Sequence, residues 1–150
     1  MIEIGRKDHG HVLAKAAGCL LNESCDVILS RTENDRLLGG VIFYNYTGRS
    51  VAIHIAGFNS HWMSRDIIWV TFHYVFRQLK CESLFSEIRS GNITVIELAK
   101  KMGFKEEAII PEVFPNDDLV VLRMREADCK WLRIKPRELT FKGNGGSNGR

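Results

Sequence analysis

Residues 86–104 read SEIRSGNITVIELAKKMGF. The stretch opens as the end of a short strand that starts near Ser83, and it gives way to a helix at Asn92. Apolar residues then recur at helical spacing up to Met102, and Gly103 supplies the residue that ends a helix. On side-chain chemistry alone, Asn92 reads as an N-cap. Strand, Asn, a short helix over 94–102 and a Gly-Phe stop form one unit with fixed internal spacing.

The chain on either side extends that unit into an alternating α/β pattern. Upstream, Ile67, Ile68, Thr71, Phe72, Val75, Phe76 and Leu79 make one broad apolar face, which predicts a helix over 64–79 with Ser64 as its N-cap. The aromatic run from Trp69 to Phe76 reads as core. Before it, residues 27–58 read as a three-strand antiparallel meander, with turns at Glu33-Asn34-Asp35 and Thr47-Gly48-Arg49. Paired glycines, Gly39 and Gly40, lie near the start of the middle strand. A helix is predicted over 9–21 from Val12, Leu13, Ala16, Ala17 and Leu20, and residues 2–4 form a short strand. Downstream, strands over 104–113 and 119–125 flank Pro115-Asn116-Asp117-Asp118. The order is strand, helix, three strands, helix, strand, helix, two strands. The class is α/β (α+β by some conventions).

Composition narrows the function classes. The chain has 150 residues, enough for one domain with a real core. We place that domain at 1–137 and a flexible polar tail at 138–150, where Gly, Asn and Ser dominate. The net charge of +3 comes from interleaved acids and bases. It suits an anionic ligand and lacks the dense basic stripe of a nucleic-acid binder. Cys19, Cys25, Cys81 and Cys129 have no C-x-x-C spacing, and no His cluster completes a zinc set, so reduced thiols and no metal are expected. No apolar run approaches the roughly 20 residues of a membrane span, and the first residues lack the apolar core of a signal peptide. A cytoplasmic protein is expected.

The 86–104 unit resembles the second half of the cofactor site in the GNAT superfamily of N-acetyltransferases. There the strand reads roughly L-E-V-R-x-x-N, and Glu87, Ile88, Arg89 and Asn92 match it one by one. Gly103 and Phe104 follow the Asn by eleven and twelve residues, as in the family. The resemblance spans about residues 2–132 and is strongest from Ala52 onward. Trp62-Met63-Ser64-Arg65, the aromatic helix, Arg125-Glu126 and Trp131-Leu132 resemble a RimJ/RimL-like or phage and prophage subgroup. The resemblance implies the GNAT fold: a central mixed, mostly antiparallel sheet flanked by helices. Its fourth and fifth strands splay to admit acetyl-coenzyme A, the acetyl donor, whose pantetheine pairs like an added strand.

The resemblance also implies the site. Its phosphate loop falls on residues 56–66, AGFNSHWMSRD, with Ala56, Phe58, His61, Trp62, Met63, Ser64, Arg65 and Asp66 as cofactor contacts and Asn92 beside the pantetheine. A helix N-terminus suits a pyrophosphate because its first amides are unpaired. The family's Q/R-x-x-G-x-G/A loop glycines are absent here, and Arg65 supplies a side-chain charge instead. Glu87 matches the strand carboxylate that takes the amine proton, with His54 as the second candidate base. The Tyr that many members place seven residues after the Asn is Ala99, and Tyr44, Tyr46, Tyr74, a water or an unassisted thiolate are its alternatives. Glu112, Asp117 and Asp118 border the expected acceptor groove. The implied activity is acetyl transfer to a primary amine, and the other reading is a GNAT-fold binding or structural protein without catalysis. The amine-bearing partner and the oligomeric state stay open, a homodimer included, and no nucleic-acid or membrane partner is expected.

Overall fold

The period-two runs assemble into one sheet and the period-3.6 runs cover its two faces. The computed structural model describes residues 1–136 and 141–143. In chain order the elements are β1 (Ile2–Ile4), α1 (Lys7–Ala17), β2 (Val27–Glu33), β3 (Arg36–Tyr44), β4 (Ser50–Gly57), α2 (Arg65–His73), β5 (Ser83–Arg89), α3 (Ile93–Met102), β6 (Lys105–Phe114), β7 (Asp117–Arg125) and β8 (Phe141–Gly143). The strand order is β6-β7-β5-β4-β3-β2-β1-β8. Among the described residues only β4–β5 and β1–β8 run parallel. This is the α/β, mostly antiparallel architecture expected from the sequence.

Which face a residue takes follows from the register. Val41, Phe43, Val51, Ile53, Leu84, Ile88, Val120, Leu122 and Met124 share the face covered by α2 and α3, and they form the main core with Ile67, Phe72, Val75, Ala99 and Met102. The opposite face is covered over β2, β3 and β4 by α1, where Leu13 and Ala14 pack on Ile28 and Ile42. Burying each large side chain of α2 contributes roughly 1.5–3 kcal/mol. The Ser64 hydroxyl, which accepts from the Ile67 amide at 3.3 Å, contributes about 1 kcal/mol. Packing therefore holds α2 in place, and the cap fixes where it starts.

The central parallel pair is short. β4 and β5 are in register only from Ser50↔Ser83 to Ile53↔Ser86. Beyond that point β4 stays with β3 as far as Gly39↔Gly57, and β5 stays with β7 as far as Arg89↔Leu119. The two strands therefore part in the middle of the sheet, as expected. Each then feeds a helix on the same face, β4 into α2 and β5 into α3.

Three boundaries differ from the sequence reading. α1 begins at Lys7 and stops at Gly18, whose φ of 72° closes the helix; Leu20 is thereby left 95% exposed in a loop rather than on the helix. The helix expected over 64–79 is α-helical only to His73. A π segment, Tyr74–Gln78, follows, and the Leu79 amide donates to the Tyr74 carbonyl at 2.9 Å. That wider turn lets Val75 and Phe76 both enter the core. The tail expected from residue 138 contributes β8, paired parallel to β1 from Ile2↔Phe141 to Ile4↔Gly143. Residues 137–140 and 144–150 lie outside the described residues. Among the described residues no helix is long and apolar enough to cross a membrane.

The Gly-Phe stop behaves as read. Gly103 has φ 116°, its amide donates to the Lys100 carbonyl at 3.1 Å, and that of Phe104 donates to Ala99 at 3.0 Å. The late Trp131 finishes the same helix end: its indole N–H donates to the Met102 carbonyl at 2.7 Å.

Candidate active site

Parting strands leave backbone groups without partners. The Phe58 amide donates to the Leu38 carbonyl at 2.8 Å, so backbone groups at that register face β3. By the two-residue repeat, those of Ile55 and Gly57 face the other way, toward the gap. The Ser90 amide likewise donates to Asp118 at 2.9 Å, which turns the backbone of Glu87 and Arg89 toward the gap from β5. The gap widens into a groove of about 660 Å³. Its walls are both strands, the end of α1 with the loop after it from Ala16 to Leu20, Asn92, Val95 of α3, and Val113 and Phe114 of β6.

Glu87, His54 and Tyr44 share the sheet face opposite α2 and α3, and all three line this groove. Glu87 is half-buried, and its carboxylate has no hydrogen-bond or salt-bridge partner among the described residues. The His54 ring stacks on Tyr44, with centroids 4.2 Å apart and planes within 5°. Burial pushes the His54 imidazole below its ordinary 6.5, which favours the neutral ring near pH 7. The Tyr44 phenol is pushed up, first by burial and then by the nearby Glu87 charge. Its hydroxyl is buried and finds no partner among the described residues. Tyr44 is also the one tyrosine of the three that reaches the groove. Tyr46 is 55% exposed, and Tyr74 packs on Phe43 at 5.0 Å on the opposite face.

The loop expected to hold phosphate continues from the groove. A cleft of about 520 Å³ over Ala56, Phe58, Met63 and Val95 joins it to one of about 460 Å³ lined by Ser60, His61, Met63, Ser64, Arg65 and Asp66. The path thus runs from the Glu87 chamber to the N-terminus of α2. Within the loop the His61 amide donates to the Asn59 side chain at 2.7 Å, and the His61 carbonyl accepts from Arg31. The amides of Met63 and Arg65 donate to no acceptor among the described residues. Arg65 is exposed at the mouth of the helix.

Trp62 is mostly buried beneath the loop. Its side chain is 8% exposed and lies in the main core. The indole is laid across Gly57 and Gly39: a Cβ built on either would approach it to 2.0 and 2.6 Å. The middle-strand glycine is therefore a seat for this ring, a signal that sequence reading registered without its cause. Trp62 also lines the cleft over Ala56, Phe58 and Met63.

Asn92 is exposed and lines the groove, and its side chain makes no capping hydrogen bond. It is therefore not a simple N-cap. Ala99 is 2% exposed in the core, so α3 itself brings only Val95 to the groove, beside Asn92 just before its start. Two of the three loop carboxylates are already engaged. Asp117 accepts from the Ser90 hydroxyl and, at 3.3 Å, from the Gly91 amide, and the Ser90 bond chiefly holds it below the usual carboxylate range. Asp118 accepts from the Glu112 amide at 3.1 Å.

No protein-family model matches the sequence, and no curated protein matches it. Solved structures do match the fold. A GNAT-family acetyltransferase from Bacillus anthracis superposes with a TM-score of 0.58 at 14% identity, over 77% of this chain and 82% of that one. Spermidine N-acetyltransferase SpeG from Vibrio cholerae, in a mutant form, gives 0.59 at 21% identity, over 83% and 77%. Campylobacter jejuni N-acetyltransferase PseH, solved with acetyl coenzyme A, gives 0.53 at 15% identity, over 80% and 79%. The splayed β4–β5 pair, the groove behind it and these superpositions together identify the chain's architecture as the GNAT fold.

Proposed function

We propose that the protein is an N-acetyltransferase that moves an acetyl group from acetyl-coenzyme A to a primary amine. One observation carries this reading: the groove between the parted β4 and β5 presents unpaired strand backbone and is lined by the Glu87 carboxylate. The residues fit the cofactor. Ile55 and Gly57 offer strand-edge groups to a pantetheine amide, Asn92 faces the same groove, and the Met63 and Arg65 amides with the Arg65 guanidinium suit a pyrophosphate. When bound, acetyl-coenzyme A supplies the thioester carbonyl and a thiolate leaving group.

The chain's residues supply the rest. The Glu87 carboxylate accepts the proton of the incoming ammonium, directly or through water, because only a free amine is nucleophilic. The Ile55 N–H, preset toward the gap, donates to the carbonyl oxygen as it gains charge. His54, kept neutral by burial, is the second base. The Trp62-Met63-Ser64-Arg65 loop and Trp131 support the RimJ/RimL-like or phage-type subgroup within this fold. The test is coenzyme A release with a panel of primary amines, for the parent and for Glu87→Gln.

The non-catalytic reading also has an observation behind it. Ala99 is sealed in the core, and no side chain of α3 offers an acid to the departing sulfur. Acetyl-coenzyme A binding without amine-dependent release would favour that reading.

A further inference from the structure

The uncovered half of the Glu87 face carries a second chemical signal. α1 crosses β2, β3 and β4 but leaves Phe85, Glu87, Val121 and Arg123 half-buried. The register puts Arg89 two residues from Glu87 on the same face, about 7 Å along the strand. Arg123 pairs with Phe85 and so lies diagonal to Glu87 on the other side, about 7–8 Å away. Arg125 follows on the same face and is exposed.

The guanidiniums are held on aromatic shelves. That of Arg89 lies 4.0 Å from the Phe114 ring centre, and that of Arg123 lies 5.8 Å from Phe85. Stacking uses the flat face of a guanidinium and leaves its edge donors for an anion. The nearby carboxylates do not consume this capacity. Glu107 pairs with one terminal nitrogen of Arg123, whose Nε stays without an acceptor among the described residues. Asp117, the carboxylate beside Arg89, is bound to Ser90 and Gly91. Neither Arg89 nor Arg125 has a salt-bridge partner among the described residues.

Resting on the reading that the acceptor amine meets Glu87, we infer that the acceptor carries an oxyanion, carboxylate or phosphate, held by Arg89, which lines the same groove beside that amine. The spacing suits a linker of about two or three carbons between the amine and the oxyanion. A second cation on the acceptor would face the Arg89 guanidinium there.

The experiment pairs binding with turnover. β-Alanine and O-phosphoethanolamine are titrated into nitrogen-15-labelled protein, with propylamine and ethanolamine as their anion-free controls. Saturable shifts are expected at residues 85–89 and 121–125 and at the Arg side-chain N–H groups. The controls should bind at least about 10-fold more weakly, the value of one charge-assisted hydrogen bond. Arg89→Ala should remove the preference, while Arg123→Ala, on the far side of Glu87 and paired with Glu107, should keep it; a preference lost only in Arg123→Ala would overturn the assignment to Arg89. The two acids distinguish carboxylate from phosphate by relative affinity. Equal binding of acids and controls, or no saturable shift, overturns the inference whether or not acetyl transfer is seen. Saturable acid-selective binding without acetyl transfer would leave it standing and contradict the acetyltransferase reading instead.

Discussion

Glu87 lines the groove and its carboxylate has no partner among the described residues, which suits the general base we propose. Glu87→Gln keeps the shape and removes the base. Its amine-dependent rate should fall by roughly 10²–10⁴ with cofactor affinity little changed, and the deficit should shrink as pH rises and more amine is already neutral. An unaltered rate would shift the role to His54 or water. His54 makes a separate statement about stability. Its folded-state value lies below the ordinary 6.5, so the unfolded chain takes up that proton first as pH falls. Stability is therefore lost through the window just under 6.5 and levels off below the folded value. The loss of melting temperature between about pH 7 and pH 5 should be smaller in His54→Gln than in the parent. His9 and His73, also pushed down by burial, retain the remainder. Glu87 and Asn92 were legible because a fixed-spacing strand–helix motif carries them. The Tyr44–His54 stack was not, because it forms across two strands whose register no local pattern specifies.

At the level of elements, the sequence placed nearly every strand and helix, and it erred where a single residue overrides a periodic run. Gly18 ends α1 although Leu20 continues its spacing, and one wide turn at Tyr74–Gln78 redirects the second half of the aromatic helix. The Trp62 indole packs into the core because Gly39 and Gly57 leave a flat seat for it. That seat predicts a sharp intolerance. Gly57→Ala places a methyl 2.0 Å from the ring, so the indole or β4 must shift. Overpacking of this kind costs about 1–3 kcal/mol, and thermal melts should show the loss. An unchanged melting temperature would mean the ring is free to move aside. The same displacement should disturb the strand edge at Ile55, so the variant's acetyl-coenzyme A affinity should fall too.

For the whole molecule, the sheet is one body whose two halves are joined through the short β4–β5 pairing, and its far edge is closed by β8 against β1. A flexible tail was the expectation for these residues, since Gly and Ser dominate there and three-residue pairing leaves no periodic trace. With β8 in place, a chain ending at Pro136 should melt roughly 2–4 °C lower for each 1 kcal/mol that the pairing contributes. An unchanged melting temperature would show that the edge pairing contributes nothing. The central claim is that the groove between the parted strands takes acetyl-coenzyme A, with its phosphates at the start of α2. Isothermal calorimetry of the full chain with acetyl-coenzyme A tests it most directly. The account predicts saturable one-to-one binding that Arg65→Ala weakens by about 1–3 kcal/mol. Absence of binding by the parent chain would contradict it.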